Sequence, residues 1–143
     1  MKKLSDRPLN DFNEDDPETY FWTDGKKVFH QKSLLRGANP ENFLFDGIFA
    51  KDDSKCFCGE SWLKDAEVET FKTLNFTYAI DKNNVYTITG KVNNADIETF
   101  KLLDDGKGLL GYNKIGIPEY TFNSYAKDKT MFIITIMTEN QKL

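Results

Sequence analysis

The stretch YAIDKNNVYTITG at residues 78–90 carries the pattern that decides the fold of this chain. An aromatic and apolar run meets four turn-forming residues at 81–84, and a second aromatic run follows at Val85 and Tyr86. Asp and Asn favour turns because their side chains bond nearby backbone amides, whereas aromatic and β-branched residues favour strands. The stretch therefore predicts a β-hairpin.

The same pattern recurs along the chain. The aligned segments are FWTD (21–24), FAKD (49–52), YAID (78–81) and YAKD (125–128). In the first three copies an alanine lies fourteen residues after the aspartate, and a phenylalanine lies nineteen residues after it. Chance rarely preserves both offsets three times, so the pattern predicts a tandem repeat whose members must pack together to share a core.

A short segment separates successive hairpins, at residues 38–43, 66–71 and 95–100. In the first of these, Asn39 can cap a helix, Pro40 suits the first helical position, and Glu41 lies near the positive end. We therefore expect a helical turn with its phenylalanine under the hairpins. The predicted fold class is α+β, mostly β: tandem β-hairpin plus short helical-turn repeats packed into one domain.

The spacing of the repeats sets the predicted boundaries. An acidic N-terminal segment at residues 1–19 precedes a single repeat domain at 20–143, and the repeats fall near 20–47, 48–76, 77–103 and 124–137. We number them one to four. The last interval between repeated aspartates is 47 residues rather than 28 or 29, which indicates an insertion at 104–121. This insertion is rich in glycine and is interrupted by Pro118, so it is a candidate functional loop.

The third repeat resembles a known family. Residues 78–86, followed by NADIETF at 94–100, are similar to the bacterial DKNYY repeat family, and YAKDK at 125–129 is similar as well. The resemblance spans residues 20–133. It implies a repeat fold and a bacterial origin, but no catalytic residues, because the family is named for a motif without a settled activity. Many members look exported.

The composition describes a folded and acidic protein. The chain is 39% hydrophobic and 14% aromatic, and its formal net charge is −4. A negative charge argues against nucleic-acid binding and favours a basic protein partner. The acids concentrate near the N-terminus, in a segment that we interpret as a solvated tail. They are Asp11, Glu14, Asp15, Asp16 and Glu18.

The start of the chain and its longest apolar run argue against export and membrane insertion. Residues 1–7 are partly basic, but no apolar stretch follows them, so they do not form a secretory signal. This predicts a cytoplasmic protein, and the alternative is export by a signal ahead of the printed sequence. The apolar run at 131–137 has seven residues, too few to cross a bilayer. We expect it to be a buried strand.

No set of residues points to a cofactor, a metal or a catalytic centre. The run from Gly106 to Gly111 matches the G-x-G-x-x-G spelling, but the residues after it cannot sustain the helix that a dinucleotide site needs, so we expect a flexible loop. Cys56 and Cys58 are expected to be reduced thiols in one strand, one inward and one outward. The only histidine is His30, which leaves too few ligands for a metal.

Three function classes remain open. The first is a non-enzymatic cytosolic binding protein, in particular an immunity protein that neutralises a basic bacterial toxin by protein–protein contact. Its contact surface would include the five N-terminal acids, with Tyr112 and Tyr120 as aromatic anchors. The second is a structural or cell-envelope repeat interaction module. The third is an enzyme with a site in the 104–121 insertion.

Overall fold

Short antiparallel strands make up nearly all the regular structure of this computed structural model, which describes residues 1–121 and 123–135. The chain divides into an N-terminal body, residues 1–69, and a C-terminal body, residues 70–143. The acidic segment, residues 1–19, belongs to the N-terminal body. The structure thus confirms the mostly β character that the sequence predicts.

The N-terminal body contains two sheets. Its strands are β1 (Lys2–Lys3), β2 (Phe21–Thr23), β3 (Val28–His30), β4 (Ser33–Leu35), β5 (Leu44–Asp46), β6 (Phe49–Lys51), β7 (Cys56–Cys58) and β8 (Ser61–Trp62). One sheet has the order β2-β3-β4, and the other has the order β1-β5-β6-β7-β8. Two 3-10 turns, Leu4–Asp6 and Pro17–Thr19, belong to the N-terminal segment.

The C-terminal body contains three small sheets within the described residues. Its strands are β9 (Lys72–Thr73), β10 (Ala79–Ile80), β11 (Val85–Thr87), β12 (Gly90–Lys91), β13 (Lys101–Leu102), β14 (Gly108–Tyr112), β15 (Pro118–Thr121), β16 (Ser124–Lys127) and β17 (Phe132–Thr135). Their orders are β12-β11-β10-β9, β13-β16-β17 and β14-β15. The last of these sheets lies within the predicted insertion.

The sheets are offset from the sequence repeats by one strand. Strand β5 closes the first repeat, yet it pairs with β6 of the second, in a register that places Phe45 opposite Ala50. In the same way β9 pairs with β10, and β13 pairs with β16. Three of the five described sheets therefore contain residues from two consecutive repeats, which ties neighbouring repeats together through backbone hydrogen bonds.

The repeated aspartates build the hairpin turns, as the sequence predicts. One carboxylate oxygen of Asp81 accepts hydrogen bonds from the amides of Asn83 and Asn84, at 2.8 and 2.7 Å. The same pair of bonds, to the second and third residues after the aspartate, recurs at Asp24, Asp52 and Asp128. This side-chain bonding fixes the turn geometry, and in the last three repeats it does so without a glycine.

Asp52 and Asp128 also bond the segment that precedes their hairpin. The second oxygen of Asp52 accepts from the Asn39 amide at 2.8 Å, and that of Asp128 accepts from the Asp96 amide at 2.7 Å. The bond from Asp96, together with the bonds from Thr130 and Met131, lowers the pKa of Asp128 to about 2. The hairpin of one repeat thereby holds the connecting segment of the repeat before it.

The helical-turn part of the prediction is not confirmed. Residues 38–43, 66–71 and 95–100 form turns and extended backbone, and the described helical residues are the two 3-10 turns near the N-terminus. Cap-like bonds do form, since Asn39 accepts from the Glu41 amide at 3.0 Å. A helix does not propagate, because the next strand begins within a few residues and a helix this short is unfavourable. Phe43 and Phe71 are buried as expected.

Each body has its own hydrophobic core. In the N-terminal body the core joins Leu4 of the first 3-10 turn to residues of both sheets: Phe21, Val28, Leu35, Phe43, Phe45, Ala50 and Phe57. In the C-terminal body a second cluster is centred on Tyr78, Val85, Ala126 and Ile133. The buried aromatic residues of the hairpins thus fill the space between short strands, which explains the high aromatic content.

Two local expectations are corrected. The N-terminal segment is not a solvated tail, because Leu4 is fully buried and the Arg7 guanidinium donates to the Phe21 carbonyl at 3.0 Å. The run at 131–137 is only half-buried where it is described: Ile133 is buried, but Phe132 and Ile134 are exposed on the other face of β17. Residues 136 and 137 lie outside the described residues.

Candidate functional site: the inserted hairpin

The insertion is anchored at its base by a polar network. The amide group of Asn75 donates to the Asp104 carbonyl and to the Ser124 hydroxyl, both at 3.2 Å. The Thr77 hydroxyl donates to the Gly106 carbonyl. Gly106 has a φ of +80°, and a Cβ there would lie 2.6 Å from the Asn75 side chain, so this position requires glycine. The two ends of the insertion are thereby held against the preceding hairpin.

Asp104 closes this network from the other side. Its carboxylate accepts from the Ser124 hydroxyl at 2.6 Å, the Gly106 amide at 2.9 Å and the Tyr125 amide at 2.9 Å. Burial raises the pKa of Asp104, but these hydrogen bonds outweigh it and hold the pKa below its ordinary value. The charged form of Asp104 is therefore the one that fixes the insertion at neutral pH.

The insertion itself is a β-hairpin. Strands β14 and β15 pair with a bulge at Leu110, between the pairs Leu109–Tyr120 and Gly111–Glu119. The turn is closed by Asn113, whose side chain accepts from the amides of Ile115 and Ile117. The expected flexible loop at 106–111 is thus mostly the strand β14. No dinucleotide-binding arrangement forms, because this strand runs into a turn rather than a helix.

Large apolar side chains are exposed on this hairpin. They are Leu109, Leu110, Tyr112, Ile115 and Tyr120. Tyr112 is 67% exposed, whereas Tyr120 is 39% exposed and lies with its ring centroid 4.8 Å from the Lys107 ammonium group. The two predicted aromatic anchors are therefore brought to the same hairpin, and Tyr112 is the more accessible of the two.

The two outer edges of the hairpin differ in chemistry. Strand β14 contains no charged residue and no proline, and within the described residues it pairs only with β15. Strand β15 carries Pro118 and Glu119, which are residues that discourage further pairing at an edge. The edge of β14 is consequently the better template for an extended segment of another chain, although its bulge interrupts the regular hydrogen-bond spacing.

The five N-terminal acids are spread over several local contacts. Asp11 pairs with Arg7, Glu14 with Lys32 and Glu18 with Lys2, the last two at 3.1 Å. Asp16 accepts from the Glu18 amide and so caps the second 3-10 turn. Asp15 is exposed, and its backbone amide donates to the Asn13 side chain. The sequence clusters these acids, but most of them serve the fold of the segment.

The two cysteines and the histidine are all buried. Cys56 and Cys58 are reduced and both buried, so the expectation of one inward and one outward thiol is wrong. Residues two apart in a strand share a face, and β7 is covered on both faces since Phe57 is also buried. Burial raises the pKa of Cys58 to about 12, which keeps its thiol protonated. Among the described residues, no three His, Cys, Asp or Glu side chains group as metal ligands do.

Sequence reasoning missed one feature of the surface, the apolar part of the hairpin formed by Leu109, Leu110 and Ile115. A pair of leucines in a glycine-rich insertion was a usable signal. Of the two tryptophans, Trp62 lies in β8 and is 48% exposed. Trp22, by contrast, stacks on Phe29 at 4.3 Å and donates to the Gln31 carbonyl, as a residue of the folded core does.

The fold and the hairpin together define a class: a repeat protein of short antiparallel sheets, clamped by turn aspartates and carrying one inserted hairpin. The DKNYY family model matches residues 49–141, and the chain belongs to the DKNYY family. The match begins at the second repeat, so the first repeat, which the resemblance included, lies outside it.

The other comparisons provide no relatives. No curated protein and no solved structure matches this chain. Within residues 1–121 and 123–135, no helix has the length and apolar character needed to cross a membrane.

Proposed function

We propose that this chain is a non-enzymatic binding protein that holds another protein through the inserted hairpin. The proposal rests on one observation: a hairpin with a fixed base exposes Leu110, Tyr112 and Ile115 at 60%, 67% and 69%. Apolar and aromatic side chains that are both exposed and pre-positioned are favourable anchors, because little conformational freedom is lost when they bind. Exposed large apolar side chains grouped on one element are also typical of interaction sites.

The charge of the chain favours a basic partner. The formal net charge is −4, and such a field speeds the approach of a positively charged protein. Glu14, Asp15 and Glu18 stay exposed, and the surface ion pairs of Glu14 and Glu18 are of a kind that contributes little to stability. Within this class we propose an immunity protein that occludes a basic bacterial toxin.

The geometry of β14 favours a particular contact. An uncharged outer strand can accept an extended segment of the partner by backbone hydrogen bonds, with Tyr112 filling a pocket on the partner. In this arrangement the hairpin contributes most of the binding affinity, and the N-terminal acids increase the rate of association with a basic partner.

The test is a comparison of variants in one capture experiment. Tagged wild-type protein is incubated with lysate of the native host in low and moderate salt, and bound proteins are identified by mass spectrometry. We expect one stoichiometric basic protein with the wild type, and its loss with the double variant Leu110→Ser and Tyr112→Ser. With Asp15→Lys we expect slower association and a weaker salt dependence, but retained binding.

A matched control keeps the result specific to the hairpin. Trp62→Leu removes an exposed aromatic residue from the other body, and this variant should retain the partner. A blank with the wild type in both salts, or equal retention by the hairpin double variant, would contradict the proposal.

The repeat architecture favours a second candidate, a structural or cell-envelope repeat interaction module. Repeat arrays present extended surfaces for binding, and neighbouring repeats here are tied by shared sheets. This candidate predicts no stoichiometric partner in the soluble lysate and sedimentation of the protein with envelope fragments.

A further inference from the structure

Trp62 and two lysines form a cationic aromatic site on the N-terminal body. Trp62 lies on β8, the outer strand of the five-stranded sheet, opposite Phe57. The ammonium groups of Lys55 and Lys64 each lie 5.5 Å from the centroid of its ring. Two positive charges are thus held at one half-exposed indole in a chain that is acidic as a whole.

Within the described residues, no carboxylate pairs with either ammonium group, and no acceptor is bonded to the indole N–H of Trp62. The backbone of Gly37 approaches the same place, since a Cβ there would lie 3.0 Å from the Lys55 ammonium. The site therefore combines an apolar ring with three donors for which the described residues provide no hydrogen-bond acceptor.

The other repeats show that the repeat fold does not require this arrangement. The position of Trp62, ten residues after the repeated aspartate, is occupied by Leu34 in the first repeat and by Lys91 in the third. The position of Lys55 is occupied by Lys27 and Asn84. Leu34 is exposed like Trp62, so burial does not explain a tryptophan at this position.

We propose that Trp62, Lys55 and Lys64 bind an anionic saccharide. A sugar ring presents C–H groups that pack on an indole, whose N–H then reaches a hydroxyl group. A carboxylate or phosphate on the sugar accepts charge-assisted hydrogen bonds from the two ammonium groups. A nucleic acid fits less well, because a strand needs a basic track along its backbone and the chain is acidic outside this site.

This site is separate from the inserted hairpin, because every residue in it belongs to the N-terminal body. Its ligand is therefore independent of the protein partner proposed above. Binding at one site can be abolished without touching the other.

The experiment is a calorimetric titration of the full chain with trigalacturonic acid and with glucose 6-phosphate. We expect saturable binding of at least one of them, and the two ligands distinguish a carboxylate-bearing from a phosphate-bearing sugar. Neutral galactotriose should bind about tenfold more weakly. In a Trp22→Phe background, where Trp62 is the only tryptophan, the same titration should change the tryptophan fluorescence.

Matched variants test the residues. Trp62→Leu installs the residue found at this position in the first repeat, so the fold should accept it, and we expect about a tenfold rise in Kd. Lys55→Gln together with Lys64→Gln should remove the preference for the charged sugar. Lys27→Gln, at the equivalent position of the first repeat, should bind like the wild type.

Four outcomes would overturn the proposal. They are no saturable binding of either sugar up to about 10 mM, unchanged binding by Trp62→Leu, inorganic phosphate binding as tightly as the sugars, and an oligothymidylate binding more tightly than trigalacturonic acid. The third would indicate a simple anion site, and the fourth a nucleic-acid site.

Discussion

At the residue scale, Asp81 and Tyr86 show how the sequence pattern of the third repeat stabilises its hairpin. Both oxygens of the Asp81 carboxylate are used: one fixes the turn, and the other accepts from the buried Tyr86 hydroxyl at 2.8 Å. Asp81 and Tyr86, whose side chains could serve a reaction, therefore stabilise a hairpin in this structure. The second repeat has Phe57 at the position of Tyr86, and its aspartate accepts a hydrogen bond from the Asn39 amide of the preceding segment.

Removing the Tyr86 hydroxyl should destabilise the protein. Tyr86→Phe deletes a donor to a buried carboxylate while the ring remains in place, and we expect the free energy of unfolding to fall by about 1–3 kcal/mol. Urea unfolding followed by circular dichroism measures this. Tyr125→Phe, which removes an exposed hydroxyl, is the matched control and should have no measurable effect. Equal effects of the two changes would show that the Asp81–Tyr86 bond does not stabilise the fold.

His30 should make stability depend on pH. Burial lowers the pKa of His30 to about 4, against a weaker opposing effect of Glu60. Because this value lies below the ordinary 6.5, the unfolded state binds more protons between pH 6.5 and 4. Stability is then full above pH 6.5 and falls by up to about 3 kcal/mol as the pH drops to 4.

The fluorescence of Trp22, whose strand β2 pairs with β3, reports this unfolding in a Trp62→Phe background. His30→Phe keeps a ring beside Phe21 and should flatten the dependence between pH 6.5 and 4. If the slope persists in that variant, other groups cause it.

At the scale of the element, each hairpin of Asp52 and Asp128 is joined by hydrogen bonds to the segment before it. The hairpin pattern could be predicted because its turn residues and aromatic strands are local signals. The conformation of residues 38–43 could not, because Asn39, Pro40 and Glu41 have the local preferences of a helix start. The outcome was decided by a carboxylate thirteen residues later in the chain, which takes the Asn39 amide. A contact of this kind leaves no trace in the local pattern.

Asp52 and Asp24 offer a comparison within one chain. Both fix their own turn, but Asp52 also accepts from the Asn39 amide of the preceding segment, and Asp52 is 3% exposed. We expect Asp52→Ala to lower the free energy of unfolding by about 2–4 kcal/mol, because the backbone amides of Asn39, Ser54 and Lys55 lose a charged acceptor. Asp24→Ala should cost clearly less. Chemical unfolding of both variants measures the difference, and equal losses would mean that the bond to Asn39 contributes nothing.

At the scale of the whole molecule, polar turns and buried aromatic residues build the repeats, and most of the large exposed apolar side chains belong to the C-terminal body. The break in the repeat spacing predicts an insertion at 104–121, and the strands β14 and β15 lie within that range. The hairpin structure of the insertion could not be predicted, since glycine and proline in such a segment are equally typical of an irregular loop. The N-terminal acids show that a pattern in the sequence can be misleading. The acids are clustered in the sequence, but Asp11, Glu14 and Glu18 form ion pairs with Arg7, Lys32 and Lys2, which lie outside the cluster.

The exposed side chains of the hairpin should matter for surface behaviour and not for stability. Leu110→Ser with Tyr112→Ser should change the free energy of unfolding by no more than about 0.5 kcal/mol per site, because neither side chain is buried. The same variant should bind less of a hydrophobic dye such as anilinonaphthalene sulfonate. A large loss of stability would show that these side chains pack in the folded protein.

The insertion lies between two strands that are neighbours in one sheet, so its sequence can vary without changing that sheet. Strands β13 and β16 are neighbours in one sheet, and the inserted hairpin leaves and returns between them, whereas the equivalent strands β9 and β10 are joined by residues 74–78. The entropy of closing a connection grows only slowly with its length, so this junction accepts a cassette at small energetic cost. One scaffold can thus exchange its inserted hairpin in a single event, and we expect that residues 107–121 can be replaced by a foreign hairpin without loss of the fold.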